Sequence, residues 1–360
     1  MKLPILSTEQ RQVFNGVLNA IKTQRVTTMS GVAGSGKTTV IAHLIKILPN
    51  WRVVAYTGKA ASVLRKKGVS ATTIHKLIYT PDIDEHGKIR MDGWGNPVFI
   101  LSPHLDADGI IIDEASMVGK EIYNDLLSFS VPLLFVGDHA QLPPVAAGNI
   151  HLMERPQFIL EHIHRNSGEI SHFCEFIRNG YRPAAFRPSF ENKVHFISRW
   201  QADQYLTEVD QVMCAFNKTR VMLNRRIREK LGRKNDDPVV GDRVMCLKNN
   251  NKIGLYNGMQ GTIEFLYKKK NRMHFKTDDN ITFDIIFSAA CFNEDQYDFD
   301  LGRDAPVPFD YCYVATVHKC QGSEWPRIMV YEQRSGNWNH IRFCYTAASR
   351  AQEEIFWVVL

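Results

Sequence analysis

Along the chain the apolar positions change period several times. Ser7 and Gln10 precede apolar residues at Val13, Phe14, Val17 and Ile21, spaced for one helix face, and Ser7-x-x-Gln10 has the pattern of a capping box. Residues 26–48, VTTMSGVAGSGKTTVIAHLIKIL, begin as a β-branched run, pass through glycines and resume with helical spacing, which predicts strand, loop, helix. Unbroken apolar runs within GIIIDEASMV (109–118) and PLLFVGDHAQLPPV (132–145) predict two more buried strands. Strand-like and helical runs alternate to about residue 150, which predicts a doubly wound α/β lobe. Residues 79–103 interrupt it with Asp, Gly, Pro and short apolar islands, the pattern of a small excursion containing a hairpin. Further on, VMCLKN, GTIEFLY, MHFKT and ITFDIIF alternate in the manner of a small barrel over residues 241–305, with Tyr256-Asn257-Gly258 as a tight turn.

Composition narrows the class. The 360 residues are 44% hydrophobic and 23% charged, enough for two or more cores. No run of about 18 apolar residues exists, and MKLPILSTEQ lacks the features of a secretory signal. A cytoplasmic protein, of a bacterial or phage-infected cell, with no membrane partner is expected. Seven cysteines, widely spread and without a C-x-x-C pair, argue against a disulfide framework or structural zinc. The formal charge of +6 suits a polyanionic partner.

The strongest chemical signal is Gly31 to Thr38, which fits G-x-x-x-x-G-K-[ST] between the predicted strand and helix. Gly31, Gly34, Ser35 and Gly36 would let backbone N–H groups approach a triphosphate at a helix N-terminus, continued by Thr39. Lys37 would meet the β- and γ-phosphates, and Thr38 would ligate Mg2+. Asp113 and Glu114, at the end of the 109–113 run, supply a second metal ligand and a group to polarise water. Gln141 follows the next run, placed to sense a γ-phosphate. The stretch TVHKCQGSEW (316–325) holds a His, a Cys and a Glu close together, but no orienting third group or further ligand accompanies them at usable spacing.

These motifs stand in a longer ordered series: LSTEQRQV (6–13), GVAGSGKTT (31–39), AYTGKAASVL (55–64), TTIHKLI (72–78), IIIDEASMV (110–118), FVGDHAQLPPV (135–145), IHRNSGEI (163–170), GDRVM (241–245), YNGMQGTI (256–263), YVATVHKCQGSEW (313–325) and CYTAASRAQ (344–352). The series resembles the superfamily 1 helicases, most closely the RecD/Dda branch that moves 5′ to 3′ on single-stranded DNA, and covers nearly the whole chain. The resemblance implies two RecA-like lobes, the first over 1–150 with the 79–103 insertion as a strand-separating pin, the second over 151–240 and 306–360. An SH3-like barrel would be inserted at 241–305. It implies an ATP hydrolase using ATP and Mg2+ to translocate on single-stranded DNA and open single/double-strand junctions; separately from the resemblance, a monomer is expected.

By the same resemblance Gln10 reads the adenine edge, beside its capping role, and Glu324 accepts from the ribose. Arg165 and Arg350 reach the γ-phosphate from the second lobe. Thr57, Lys59, Thr73, His75, Thr316 and His318 contact the DNA backbone, and Trp94 or Phe99 in the insertion stacks on a base. Lys268 to Arg272 reads as a solvated hairpin tip. YTAASRAQ departs from the commoner family form at Ala348, Ser349 and Gln352 but keeps Arg350. The motifs begin and end near the chain termini, so a motor core without appended domains is expected. An RNA helicase, an ATP-gated nucleic-acid clamp and a small-molecule P-loop kinase are the competing readings.

Overall fold

A computed structural model of the chain describes residues 3–91, 98–143, 152–162, 168–233, 235–250, 253–297, 305–336 and 338–359. They form two compact units, residues 1–90 with 98–171, and residues 172–360 with 91–97.

In the first unit, helix α1 (Thr8–Thr23) precedes strand β1 (Val26–Gly31), α2 (Lys37–Ile47), β2 (Trp51–Ala55), α3 (Gly58–Lys66), β3 (Ala71–Thr73) and α4 (Ile74–Ile78). A hairpin of β4 (Tyr79–Pro81) and β5 (Phe99–Leu101) follows, then β6 (Gly109–Asp113), α5 (Lys120–Ser128), β7 (Leu133–Gly137) and β8 (Phe158–Leu160). Six strands make one sheet in the order β3-β2-β6-β7-β1-β8, every neighbouring pair parallel. A parallel sheet covered on both faces needs strands that are apolar throughout. Accordingly Ile111 and Leu134 pack with Val17, Ile41 and Leu44 on one side, while Ile110, Ile112 and Phe135 pack with Ile74, Ile78 and Leu126 on the other. The capping box predicted at Ser7 and Gln10 is formed.

The second unit holds α6 (Glu169–Arg178), which begins at the end of the first, β9 (Val194–Ile197), α7 (Arg199–Tyr205), β10 (Gln211–Cys214) and α8 (Asn217–Lys230). Strands β11 (Arg243–Cys246), β12 (Gln260–Tyr267), β13 (Arg272–Thr277), β14 (Thr282–Ser288) and β15 (Val307–Tyr311) close a barrel. After it come β16 (Val314–Thr316), β17 (Trp325–Tyr331), α9 (His340–Ala348) and β18 (Ala351–Val358), and the second parallel sheet has the order β16-β10-β17-β18-β9. Two RecA-like lobes and an SH3-like barrel are thus present.

Two expected boundaries move. Residues 158–160 are a strand of the first sheet, paired with β1, so the first unit runs past residue 150 to 171. The barrel extends past 305, because β15 is the strand that joins β14 to β11 and closes it. Lys268 to Lys270 form an exposed turn between β12 and β13, as read.

Buried ion pairs join the barrel to α8. Asp242, fully buried at the barrel entrance, accepts from Arg228 Nε (3.2 Å), Arg233 Nη1 (2.8 Å), Tyr313 Oη (2.8 Å) and Val239 N (2.8 Å). Asp310 on β15 pairs with Arg220 and accepts from Tyr297 Oη at 2.8 Å. Removing one member of such a set leaves charge stranded away from water. Asp242→Ala is expected to lower stability by about 3–5 kcal/mol in urea unfolding; a loss below about 1 kcal/mol would show that the pairs do not hold the barrel in place.

Candidate functional site

The register of the first sheet collects the motif loops on one edge. Ser30 lies opposite Gly137, Ala55 opposite both Asp113 and Thr73, and Ile112 opposite Phe135. The carboxyl ends of β3, β2, β6, β7 and β1 are therefore level. The loops carrying Thr73, Thr57, Asp113, Gln141 and Lys37 leave from that single edge, where ligands of open α/β sheets bind.

The phosphate loop has the conformation its glycines allow. Gly34 (φ 80°) and Gly36 (φ 87°) are left-handed, and Gly36 is the N-cap of α2. Gly31 answers to crowding instead: a Cβ there would fall on Ser35 Oγ and lie 3.1 Å from Leu160 Cβ. Lys37 Nζ donates to Gly31 O (2.7 Å) and Val32 O (3.2 Å), which holds the ammonium across the loop. Thr38 and Thr39, in the first turn of α2, are half-buried. Gln10 Nε2 donates to Ser35 O at 3.1 Å while its Oε1 accepts from Ser7 N, so one buried side chain both caps α1 and braces the loop.

Asp113 ends β6. Burial pushes its carboxyl pKa up and the Glu114 charge pushes it further, against the opposing pull of Lys37. A carboxylate so placed is stabilised by a hard cation, and with the Thr38 hydroxyl it offers the oxygen donors that Mg2+ takes. Glu114 adopts φ 54° and ψ 41°, a left-handed conformation that is strained for a non-glycine residue. Gln141 is buried; its Nε2 donates to Asp138 Oδ2 at 3.2 Å, and its Oε1 has no partner among the described residues.

Two supporting residues escape sequence reading. Asp138 orients Gln141 and accepts from Ala140 N (3.0 Å), and Ser30 Oγ bonds the backbone N–H (3.1 Å) and Nδ1 (2.8 Å) of His139, tying the loop after β7 to β1. The available signals are the i, i+3 spacing of Asp138 and Gln141, and a serine that directly precedes the first glycine of the phosphate loop.

The residues expected on a nucleic-acid track have local duties as well. Thr57 and Thr73 are N-caps, accepting from Ala60 N (3.1 Å) and Lys76 N (3.3 Å). Lys59 is half-buried in the first turn of α3, and exposed His75 lies 5.5 Å from the Tyr79 ring. Trp94 and Arg165 lie outside the described residues; Phe99 in the hairpin is exposed.

In the second unit the expected residues divide between two edges. Thr316 ends β16 opposite Cys214, with half-buried His318 just beyond, its pKa lowered by burial. Glu324 and Arg350 stand before the first residues of β17 and β18, at the opposite edge, where Trp325 pairs with Ala351. Glu324 is exposed and accepts from Gln352 Nε2 at 3.1 Å. Arg350 is buried, donating to Thr346 O (3.1 Å), Ser323 O (3.3 Å) and Ser349 Oγ (2.8 Å). Cys320 is a buried thiol with no nucleophilic setting.

A family model described as an AAA domain matches residues 5–197, more than half of the chain, and one described as a UvrD-like helicase C-terminal domain matches residues 311–358. The chain is 27% identical to the ATP-dependent RecD2 DNA helicase of Deinococcus radiodurans, over 98% of this chain and 48% of that protein. It is 24% identical to the RecBCD enzyme subunit RecD of Mycolicibacterium smegmatis, over 92% of this chain and 68% of that protein. Of the first three curated relatives it spans 12%, 32% and 48% of the length. The fold is shared with Bacteroides Pif1 bound to ssDNA (TM-score 0.63, 21% identity, 99% of this chain and 92% of that one) and with Pif1 helicase from Candida albicans (TM-score 0.56, 18% identity, 99% and 95%). Among the described residues no helix is long and apolar enough to cross a membrane.

Gly36→Ala forces an L side chain into the left-handed region and is expected to lower the stability of the first unit by about 1–2 kcal/mol. Urea unfolding measures it, and an unchanged midpoint would show that the loop relaxes to another conformation.

Proposed function

Because the chain belongs to the AAA-domain family and, within it, to the superfamily 1 helicases of the RecD-like branch, we propose that it couples ATP hydrolysis to 5′ to 3′ movement on single-stranded DNA and to duplex unwinding. The observation that carries this reading is the shared edge of the first sheet: the phosphate-loop, Asp113-Glu114 and Gln141 segments leave it beside the Thr57 and Thr73 segments. Nucleotide groups and strand-binding groups thus sit on loops of one rigid sheet, so a change at one set has a short path to the other.

In this reading Lys37 exchanges its two carbonyl partners for the β- and γ-phosphates. Thr38 and Asp113 would hold Mg2+, which when bound neutralises charge on the phosphate oxygens. Glu114 orients the attacking water, and its strained backbone fixes the carboxylate's approach. Gln141, its amide nitrogen on Asp138, presents its oxygen toward water or phosphate. Gln10 contacts the adenine edge while bracing the loop through Ser35 O. Arg350 would give up bonds to Thr346, Ser349 and Ser323 in answering phosphate charge, so engagement depends on a local change in its own helix end. Arg165 is assigned the partner role by its motif alone, and Glu324 the ribose. Hydroxyls at helix caps and basic side chains contact phosphates without reading bases, as a sequence-indifferent motor requires. The exposed β4–β5 hairpin is the candidate wedge at the fork.

Lys37→Ala and Glu114→Gln are each expected to abolish ATP hydrolysis stimulated by single-stranded DNA while leaving the circular dichroism spectrum unchanged. Turnover near that of the unaltered protein in either variant would sink the assignment. With duplexes bearing a single tail, ATP-dependent strand separation is expected from a 5′ DNA tail and not from a 3′ tail. A kinase would ignore DNA, a clamp would bind without separating strands, and an RNA helicase would prefer an RNA tail.

A further inference from the structure

Away from the nucleotide motifs, three side chains of different chemistry meet where β17 and α9 approach. Glu332 directly follows β17, His340 opens α9 and Cys344 lies one turn further on, so the i, i+4 spacing puts imidazole and thiol on one helix face. His340 Nε2 is 2.8 Å from Glu332 Oε1 and 3.5 Å from Cys344 Sγ, and the three donor atoms lie within 4.8 Å of one another. No step proposed above uses them.

We propose that Glu332, His340 and Cys344 bind a single dication of the zinc type, bracing the end of β17 against the start of α9. The separations already approach those a tetrahedral ion imposes. Bond lengths of about 2.3 Å to sulfur and about 2.05 Å to nitrogen set the S···N edge near about 3.5 Å, the distance present here. The corresponding N···O edge is about 3.4 Å, so Glu332 and His340 move apart by about 0.6 Å and exchange one hydrogen bond for two metal bonds.

The surroundings also suit an ion. Trp357 Nε1 donates to Glu332 Oε2 at 2.8 Å, which leaves Oε1 toward His340 Nε2, and the half-exposed Arg334, whose Nη2 lies 3.7 Å from Oε1, would swing into solvent when an ion takes that oxygen. Trp357 is itself fully buried, its ring edge-on to Phe173 at 5.4 Å. The His340 ring stacks on Phe343 at 6.2 Å, and its Nδ1 has no hydrogen-bond partner among the described residues, so the outer partner that a ligating imidazole usually has would be a water. The mixed thiolate, imidazole and carboxylate set favours zinc over Mg2+ or Ca2+, which take oxygen. His340 is the partly exposed member, which leaves a path for the ion and a water as fourth ligand. The same trio read as a nucleophilic triad fails on access, because Cys344 is fully buried and a reactive thiolate needs an open, electropositive setting.

The site stands at the edge of the second sheet that carries Thr316, and α9 runs from it to Ser349-Arg350 at the other edge. An ion there would fix the start of the helix whose far end holds Arg350.

The test uses the full-length, reduced protein stripped by a chelator and titrated with Co2+, followed by displacement with Zn2+. Expected are saturation at about one ion per chain, a thiolate-to-cobalt charge-transfer band, and visible bands of four-coordinate cobalt. The band should vanish in Cys344→Ser, persist in Cys174→Ser, which alters a buried thiol elsewhere, and need about tenfold more Co2+ in Glu332→Gln. Zn2+ should raise the melting temperature of the unaltered protein and leave that of Cys344→Ser unmoved. A wild-type protein without the band, a band undiminished in Cys344→Ser, or a melting temperature lowered by Zn2+ would overturn the proposal. Should Cys344→Ser fail to fold, the Glu332→Gln titration decides: unweakened cobalt binding there overturns it as well.

Discussion

The structure depends on the in-register, parallel alignment of β1, β7, β6, β2 and β3. Side chains in a strand alternate faces, so a one-residue slip of any central strand would exchange its two apolar faces. Here that exchange would turn Ile111 toward the layer of Ile110 and Ile112, and Leu134 toward the layer of Phe135, against helices shaped for the other set. The core on both faces therefore fixes the level at which each strand ends. A fixed level is what brings Lys37, Gln141, Asp113, Thr57 and Thr73 to one edge from positions spread over more than a hundred residues. Chemistry at that edge is a consequence of packing several residues below it.

Some of this is legible in the sequence because the determinants are contiguous. The phosphate loop is strand, glycines, lysine and helix in one segment, and the glycine roles follow from local geometry, two by left-handed φ and one by close approach. The barrel strands are legible by alternation. What is lost depends on distant partners. Phe158 to Leu160 are three apolar residues without a period of their own, and they become a strand only because β1 has an open edge beside them. Val307 to Tyr311 pair with β14 on one side and β11 on the other, a closure that no local pattern announces. Gln10 shows the opposite case, where the capping role read from the sequence is present and a second role, bracing the phosphate loop through Ser35 O, uses a different atom of the same amide. Glu332 comes from a strand end and His340 and Cys344 from a helix, so a search for closely paired cysteines passes over them.

Charge buried away from solvent carries the second unit's internal geometry. Asp242 and Asp310 lie at the first and last strands of the barrel, and both are held by arginines of α8 or its C-terminal extension. Because these pairs join the barrel to a helix of the second sheet, the insertion is a fixed part of its unit and not a module on a free tether. Their value is positional: the desolvation of each carboxylate is offset only when every arginine and backbone donor is in place.

Helix α9 gives the second sheet a lever between its two edges. Its nine residues span roughly 13 Å, from the edge where Thr316 ends β16 to the edge where Glu324 and Arg350 precede β17 and β18. Its body is buried from Phe343 through Ala348, so it moves with the sheet or not at all. Arg350 is bonded to the helix's own last turn and to Ser323, one residue before Glu324. Freeing its guanidinium therefore disturbs the same short segment that carries Glu324. The Ser323 carbonyl thus ties Arg350 to the residue next to Glu324, and losing that bond would leave a buried acceptor to be satisfied again.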